Sequence, residues 1–265
     1  MRIGWSVDNH WESLGSGIRE NRIHEHCEHI NKEYDFFVNC GDIATSKEIK
    51  YILQLIGQRI RIPYYFVLGN HDYYFSEVSA VKNLVSYLST QKNIGRCIYG
   101  SISPGEILSS NNEYVKFVFS DSCASGLPYN RSLVVDETCI KDFKDKNPQE
   151  QLQVRNKHSV DGIKQLKRQL ANLRDIKEIY IFTHVPPFTE CNLHHDKPSE
   201  EQYHPFFTDV LLGIYLETLE RDNPDLKIKV LCGHTHNKAH YIKGNIEVFV
   251  SHGEYGKAFI NEIIL

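Results

Sequence analysis

The chain has 265 residues, with 30 Lys and Arg against 34 Asp and Glu and a formal charge of −4. This length accommodates one large domain or two small ones, and a composition 41% hydrophobic and 24% charged excludes wholesale disorder. The near-neutral balance gives no global electrostatic footprint for nucleic acid or an anionic membrane, so only a local basic groove would supply one.

In chain order, a β-rich run over 2–7 precedes a helical pattern over 17–32 and a strand over 34–40. A helix over 46–60 follows, where Ile49, Ile52, Leu53, Ile56 and Ile60 recur at spacings of three and four and mark one buried face. A strand over 62–68 and a helix over 76–90 come next, then a strand over 114–120. The helix over 158–175 carries Ile163, Leu166, Leu170 and Leu173 on an otherwise charged background. After it come a strand over 178–183, a helix over 206–221, a strand over 227–232 and a late cluster at 239–243, 246–251 and 257–264. Phe36-Phe37-Val38 and the run Tyr64 to Leu68 are apolar on both faces, as expected of strands covered by helices on each side.

Alternating β and α elements followed by consecutive strands predict a layered α/β architecture with a mixed sheet. No internal repeat or linker interrupts the pattern, so residues 1–265 read as a single domain. Two long stretches, 121–157 and 185–205, carry no assigned element. Loops of that length are usually functional or disordered, and both are expected to form a substrate rim. The charge run Lys141 to Lys146 reads as a solvated surface.

The seven cysteines are odd in number and scattered, with no C-x-x-C pair. That argues against a disulfide framework or a zinc finger and fits a reducing compartment. The opening residues reach Asp8 before a signal-peptide apolar region accumulates, and no uncharged apolar run is long enough to span a bilayer. The expectation is a cytoplasmic protein with no membrane partner. Asn130-Arg131-Ser132 matches a glycosylation sequon, read here as chance.

The chemistry lies at predicted strand ends. The first strand ends at Asp8-Asn9-His10, the second at Gly41-Asp42 and the third at Gly69-Asn70-His71-Asp72. The strand near 180 ends at Thr183-His184, and that near 230 at Gly233-His234-Thr235-His236. Ligands of open α/β sheets bind outside the carboxyl ends of strands, so these distant residues are expected to converge. The preceding glycines are expected to permit tight turns. Two Asp, one Asn and four His suffice for two metal ions with one carboxylate bridging. This nitrogen and oxygen set suits two divalent ions among Mn, Fe, Zn, Co or Ni. Two ions, two aspartates and a bridging hydroxide leave about one positive charge, which favours an anionic substrate such as a phosphate ester.

The ordered blocks Asp8-x-His10, Gly41-Asp42, Gly69-Asn70-His71-Asp72, His184 and Gly233-His234-Thr235-His236 resemble the calcineurin-like metallophosphoesterase superfamily. They span residues 8 to 236, and five in order are far more specific than any one alone. The resemblance implies a four-layer αββα sandwich with mixed sheets around a dinuclear metal centre at strand ends. It implies that Asp8, His10 and His236 bind one metal, that Asn70, His184 and His234 bind the other, and that Asp42 bridges them. It also implies that His71 is general acid or transition-state stabiliser, with Asp72 orienting its ring. Attack by a metal-activated hydroxide, with the leaving group protonated by His71, is the expected reaction.

Within the superfamily, Ser/Thr protein phosphatases resemble one another through an Arg after Gly-Asp and a Gly-Asn-His-Glu block. Here Gly41-Asp42-Ile43-Ala44-Thr45-Ser46 has no Arg and the third block ends in Asp72. The guanidinium fork for a monoester dianion is missing from its expected place. The expectation is a phosphodiesterase acting on a nucleotide-like or other small diester. A phosphomonoesterase or protein phosphatase of the same fold is the alternative, and a non-catalytic scaffold ranks below it. The partner is a small phosphoester, nucleic acid is disfavoured by the acidic balance, and oligomeric state is left open. Other histidines read blandly: His24 to His29 as a solvated helix face, His194, His195 and His204 as exposed loop, and His158 and His252 without a role. Tyr73 and Tyr74 are read equally as packing or as stacking on a base.

Overall fold

The computed structural model describes residues 1–110 and 113–265. Its elements are β1 (Arg2–Ser6), α1 (Ser16–Glu33), β2 (Phe36–Cys40), α2 (Ile49–Gly57), β3 (Tyr64–Val67), α3 (Val78–Thr90) and β4 (Cys97–Tyr99). There follow β5 (Glu106–Ser110), β6 (Glu113–Phe119), α4 (Asp136–Cys139), α5 (Pro148–Gln169), β7 (Ile176–Phe182), and the short pair β8 (Leu193–His194) and β9 (Lys197–Pro198). The chain continues with α6 (His204–Phe207), α7 (Val210–Asp222), β10 (Lys227–Cys232), β11 (Ala239–Lys243), β12 (Ile246–Val250) and β13 (Asn261–Ile264).

Two mixed sheets pack face to face, in the order β13-β1-β2-β3-β4 and β11-β12-β10-β7-β6-β5. The central strands of each are parallel, and β13, β11 and β5 join antiparallel at edges. Parallel neighbours need crossovers, and α1, α2 and α3 supply them on the outer face of the first sheet, burying Ile23, Ile52, Ile56 and Val85. Helices α5 and α7 cover the second sheet with Leu166, Leu212 and Leu216.

Between the sheets lies a third core, and it changes one expectation. Strands β2 and β3 are apolar on both faces because one face meets helices and the other meets the second sheet. Phe37, Tyr64 and Phe66 point to the helices, while Phe36, Val38, Tyr65 and Val67 point inward to Phe117, Phe119 and Phe182. Tyr65 stacks on Phe119 across the gap at 4.6 Å and Phe36 meets Phe117 edge-on at 5.6 Å. Such pairs contribute about 0.5–1.5 kcal/mol each beyond area burial.

Other differences have local causes. The helix expected over 158–175 begins ten residues earlier, because Asn147 caps it, Pro148 occupies its first turn and Glu150 completes a capping box. The helix expected over 206–221 is divided into α6 and α7, since Asp209 caps the amide of Leu212. Strands β4 and β5 were not anticipated. In the charge run, Lys141 and Lys144 to Lys146 are exposed as expected, but Phe143 is buried. The segment 24–29 is only partly solvated: His26 and Cys27 are buried on the inner face of α1, near Trp11 and Phe37, and burial lowers the His26 pKa to about 3. Among the described residues, no helix is long and apolar enough to cross a membrane.

Asp209 ties three segments together, accepting from Ser125 (2.5 Å), Ser159 (2.6 Å) and the Leu212 amide (3.2 Å). Burial pushes its carboxyl up to about 6 against the pull of those donors. The folded chain therefore holds a proton here that the unfolded chain releases between about pH 4 and pH 6, and this group's stabilisation falls as pH rises through that window. Asp209→Asn keeps an acceptor without the charge, so it should gain on the wild type by roughly 2–3 kcal/mol between pH 4 and pH 7. Urea unfolding at both pH values measures this, and a pH-independent difference would contradict it.

Candidate metal centre

The turns after β1, β2, β3, β7 and β10 lace together at one end of the sandwich. The Asp8 amide donates to Gly41 O (3.1 Å), the His10 amide to Asp42 O (2.9 Å) and the Gly233 amide to His184 O (2.9 Å). Ser122, just past β6, accepts the amides of His184 (3.2 Å) and Val185 (2.6 Å). Five residues in these turns have left-handed backbone: Asp8 (φ 52°), His10 (44°), Asp42 (54°), His234 (70°) and His236 (56°). Left-handed backbone is unfavourable for L-residues other than glycine and costs on the order of 1–3 kcal/mol each. It aims these side chains inward, away from the run of the strand.

The flanking glycines differ in their reasons. Gly41 needs its positive φ of 93°. Gly69 and Gly233 instead allow close approach, since a Cβ would stand 2.2 Å from Asp42 Oδ1 in the first case and 2.3 Å from Val7 Cγ2 in the second.

All seven donors named from the sequence converge. His10 Nε2 lies 3.3 Å from His236 Nε2 and 3.5 Å from Asp42 Oδ2, and His236 Nε2 lies 3.8 Å from Asp8 Oδ1. On the other side, His184 Nε2 lies 3.4 Å from Asp42 Oδ2 and 3.0 Å from Asn70 Oδ1. The rings of His184 and His234 stand 5.0 Å apart. Asp42 thus faces two groups of donors at once. Asp8, His10, Asp42 and His184 are fully or almost fully buried.

An outer ring of contacts orients the donors. His184 Nδ1 meets Cys40 O at 3.0 Å, and His234 Nε2 meets Phe206 O at 2.9 Å. Each carbonyl can only accept, so that nitrogen carries a proton and the opposite ring nitrogen is the one left to face an ion. Asn70 Nδ2 donates to Asp136 Oδ1 (2.9 Å), which turns its Oδ1 toward His184. Arg155, fully buried, pairs with Glu137 and lies 3.6 Å from Asp136. Asp136 and Arg155 escaped the sequence reading, although Asp136-Glu137 stands in the unassigned stretch 121–157.

Electrostatics follow from this crowding. Burial alone would lift the Asp42 pKa, but His184, His71 and His10 outweigh it and hold it well below the usual carboxylate range. Burial opposes a charge on His184, yet Asp42 and Asp8 raise its pKa to about 9. His234 is lowered to about 4 by burial and by His184.

His71 faces the same centre. Its amide donates to Asp42 Oδ1 (2.9 Å), its ring stacks on Tyr74 at 4.1 Å, and it meets His10 edge-on at 4.4 Å. The expected contact between Asp72 and this ring does not form. The carboxylate of Asp72 instead accepts four backbone amides, from Asp42 (3.0 Å), Ile43 (2.9 Å), Ala44 (2.9 Å) and Gly69 (2.8 Å). The carboxylate near His71 Nδ1 is Glu12, at 3.9 Å, which the sequence reading missed. Tyr255 was also missed, and it stacks on His10 at 4.1 Å. Tyr73 and Tyr74 are buried, and the Tyr74 hydroxyl donates to Asp136 Oδ1 at 2.7 Å. His194 and His195 lie on the exposed β8–β9 pair and His204 opens α6.

A family model described as calcineurin-like phosphoesterase matches residues 8–238. No curated protein matches the chain. Among solved structures, the chain is similar to phosphopantetheinyl hydrolase from Mycobacterium tuberculosis, with a TM-score of 0.60 at 14% identity over 95% of this chain and 89% of that one. It is also similar to GAP50, the anchor in the inner membrane complex of Plasmodium, with a TM-score of 0.53 at 14% identity over 95% and 71% of the two chains. At these identities the likeness is one of fold.

Removing the Asp72 carboxylate would strand four buried amides. Asp72→Ala should therefore cost roughly 3 kcal/mol or more of stability. Denaturant unfolding in a chelator, which removes any contribution from bound metal, measures this directly. A loss below about 0.5 kcal/mol, the range of an ordinary surface substitution, would show that the clamp is dispensable.

Proposed function

The chain belongs to the calcineurin-like phosphoesterase family of metal-dependent phosphoester hydrolases, and we propose that it is a phosphodiesterase acting on a small, nucleotide-like diester. The observation that carries this reading is the position of Asp42 between two donor groups, with His71 fixed to its other carboxylate oxygen. Asp8, His10 and His236 would hold one divalent ion and Asn70, His184 and His234 the other, with Asp42 shared. Donor atoms of Asp8, His10 and His236, and of Asp8, Asp42 and His184, lie within 4.8 Å of one another, which suits such ions. The carbonyl partners of His184 and His234 also fit, because they fix the ligating tautomer. When bound, the ions supply Lewis acidity and water activation at the phosphoryl group.

The remaining work falls to this chain's own side chains. His71 is placed to protonate the leaving oxygen, with Tyr74 supporting one face of its ring and Glu12 3.9 Å from Nδ1. On proton transfer the leaving alkoxide departs as the alcohol and His71 becomes neutral. Asp72 acts as a positioning residue through the backbone that carries Asp42. Arg155 is committed to Asp136 and Glu137, so it is not free to grip a second phosphate charge, and this favours a diester over a monoester dianion. Donors drawn from both sheets support one catalytic domain over residues 1–265. Seven free cysteines support a reducing, cytoplasmic setting.

A screen of purified protein loaded with Mn, Fe, Zn, Co or Ni against cyclic nucleotides, linear diesters and monoesters tests this reading. Turnover of diesters above monoesters is expected, and a monoester preference would reverse the assignment. His71→Ala should retain bound metal and lower kcat by about 10²–10⁴-fold. An unchanged rate would remove its role. Asp42→Asn should weaken both ions, read by metal analysis after dialysis, whereas loss of one ion alone would refute the shared carboxylate.

A further inference from the structure

One carboxylate oxygen outside the donor set holds two parts of the centre at once. Asp136 opens α4 and is buried, and its Oδ1 accepts the side-chain amide of Asn70 at 2.9 Å and the hydroxyl of Tyr74 at 2.7 Å. Asn70 is a proposed ion ligand, and Tyr74 is the ring on which His71 lies. Asp136 reaches them from 66 and 62 residues further along the chain.

Its own segment, which the sequence suggested as substrate rim, is tied firmly to the same turn. The Phe75 amide donates to Cys139 O (2.7 Å), the Lys141 amide to Ser76 O (3.0 Å) and the Val78 amide to Asp142 Oδ2 (2.8 Å). Backbone bonds thus run in both directions between 139–142 and the residues that follow His71. Arg155 lies 3.6 Å from the other Asp136 oxygen, Oδ2, which leaves Oδ1 to Asn70 and Tyr74.

Each contact controls a different property. An Asn side chain can turn either its oxygen or its nitrogen toward an ion, and only the oxygen has lone pairs to offer. A carboxylate only accepts, so Asp136 claims the Asn70 nitrogen and leaves Asn70 Oδ1 to the centre. His71 is held in another way. Among the described residues no side chain hydrogen-bonds its ring, which lies instead on Tyr74 at 4.1 Å and 26°. Stacking sets the tilt of a ring only when the platform is itself fixed. The bond from the Tyr74 hydroxyl to a buried carboxylate fixes it.

We infer that Asp136 is a positioning residue that sets both the ligating atom of Asn70 and the tilt of the His71 ring. Resting on the phosphoesterase reading above, this ties one ion and the proton donor to a single carboxylate oxygen. Loss of that oxygen should disturb both together, although Asp136 acts only through other side chains.

Three variants separate the two contacts. Asp136→Ala removes both, Tyr74→Phe keeps the ring and removes only the hydroxyl, and Asp136→Asn keeps an acceptor oxygen. NMR of the chelator-treated full chain, with His71 resonances assigned by their loss in His71→Ala, reads the ring without any ion or ester. The Tyr74 ring current displaces those resonances. Asp136→Ala and Tyr74→Phe should move them toward the values of an isolated imidazole, and Asp136→Asn should restore most of the displacement. On titration with Mn²⁺, Asp136→Ala should bind one of two ions about 10–100-fold more weakly, with both affinities kept in Tyr74→Phe. With a chromogenic diester, Tyr74→Phe should lower kcat about tenfold at unchanged KM. Unmoved His71 resonances in Asp136→Ala and Tyr74→Phe, or undiminished affinity for both ions in Asp136→Ala, would overturn the inference. So would an Asp136→Asn variant no better than Asp136→Ala, which would place the effect in the lost charge. If Asp136→Ala fails to fold, Tyr74→Phe carries the test, and an unchanged His71 spectrum with unchanged kcat overturns the inference. Hydrolysis of no ester by the wild type, with the His71 resonances responding as expected, would refute the phosphoesterase reading and leave Asp136 as the residue that holds the ring.

Discussion

The carboxylate of Asp72 holds the amides of Asp42, Ile43, Ala44 and Gly69, and much of the site geometry depends on that clamp. It joins the turn after β2 to the turn after β3, the two segments that carry Asp42, Asn70 and His71. Without it, the left-handed Asp42 would lose the tie on its backbone amide and keep only the His71 amide on its Oδ1 as a local restraint. Burial and the neighbouring Asp42 raise the pKa of Asp72, while its amide donors work in the opposite direction. A buried carboxylate surrounded by donors satisfies the rule that interior charge must be hydrogen-bonded. Position in the fold, more than proximity to His71 in sequence, explains this residue.

The backbone around the centre is unfavourable in a concentrated way. Asp8, His10, Asp42, His234 and His236 all adopt left-handed φ, and the turns that hold them are laced by hydrogen bonds from one strand end to the next. Strain of this kind persists only where surrounding structure over-determines it. The interlocked aromatic core between the sheets and the two helical layers outside them supply that constraint. Asp136, Cys40 and Phe206 then set the orientation of the side chains that those turns present.

The strand-end blocks were legible in the sequence because each follows a short apolar run and most contain a glycine. Their order along the chain carried the fold class as well as the donor list. Other features could not be read that way. Asp136, Glu12 and Tyr255 reach the centre through tertiary packing, from segments with no periodicity to place them. Asp72 follows His71 directly, which suggested a partnership that the turn geometry does not permit. The start of α5 was written in Asn147, Pro148 and Glu150, but the preceding charge run masked it. Strands β2 and β3 showed correctly that both faces are buried, yet hydrophobicity alone cannot tell a covering helix from a covering sheet.

The proposed donors also differ in where they originate. Asp8, His10, Asp42 and Asn70 leave the first sheet, whereas His184, His234 and His236 leave the second. Each proposed ion therefore draws on both sheets, across sequence separations above one hundred residues. A chain with only one sheet formed would hold an incomplete set for either ion. Such ions cannot nucleate folding as a local metal loop does, because their sites arise only when the sheets dock. They bind the finished state alone, so occupancy should retard unfolding while leaving the rate of folding nearly untouched. In the cell, the arrival of metal would then mark the end of maturation and lengthen the lifetime of the product.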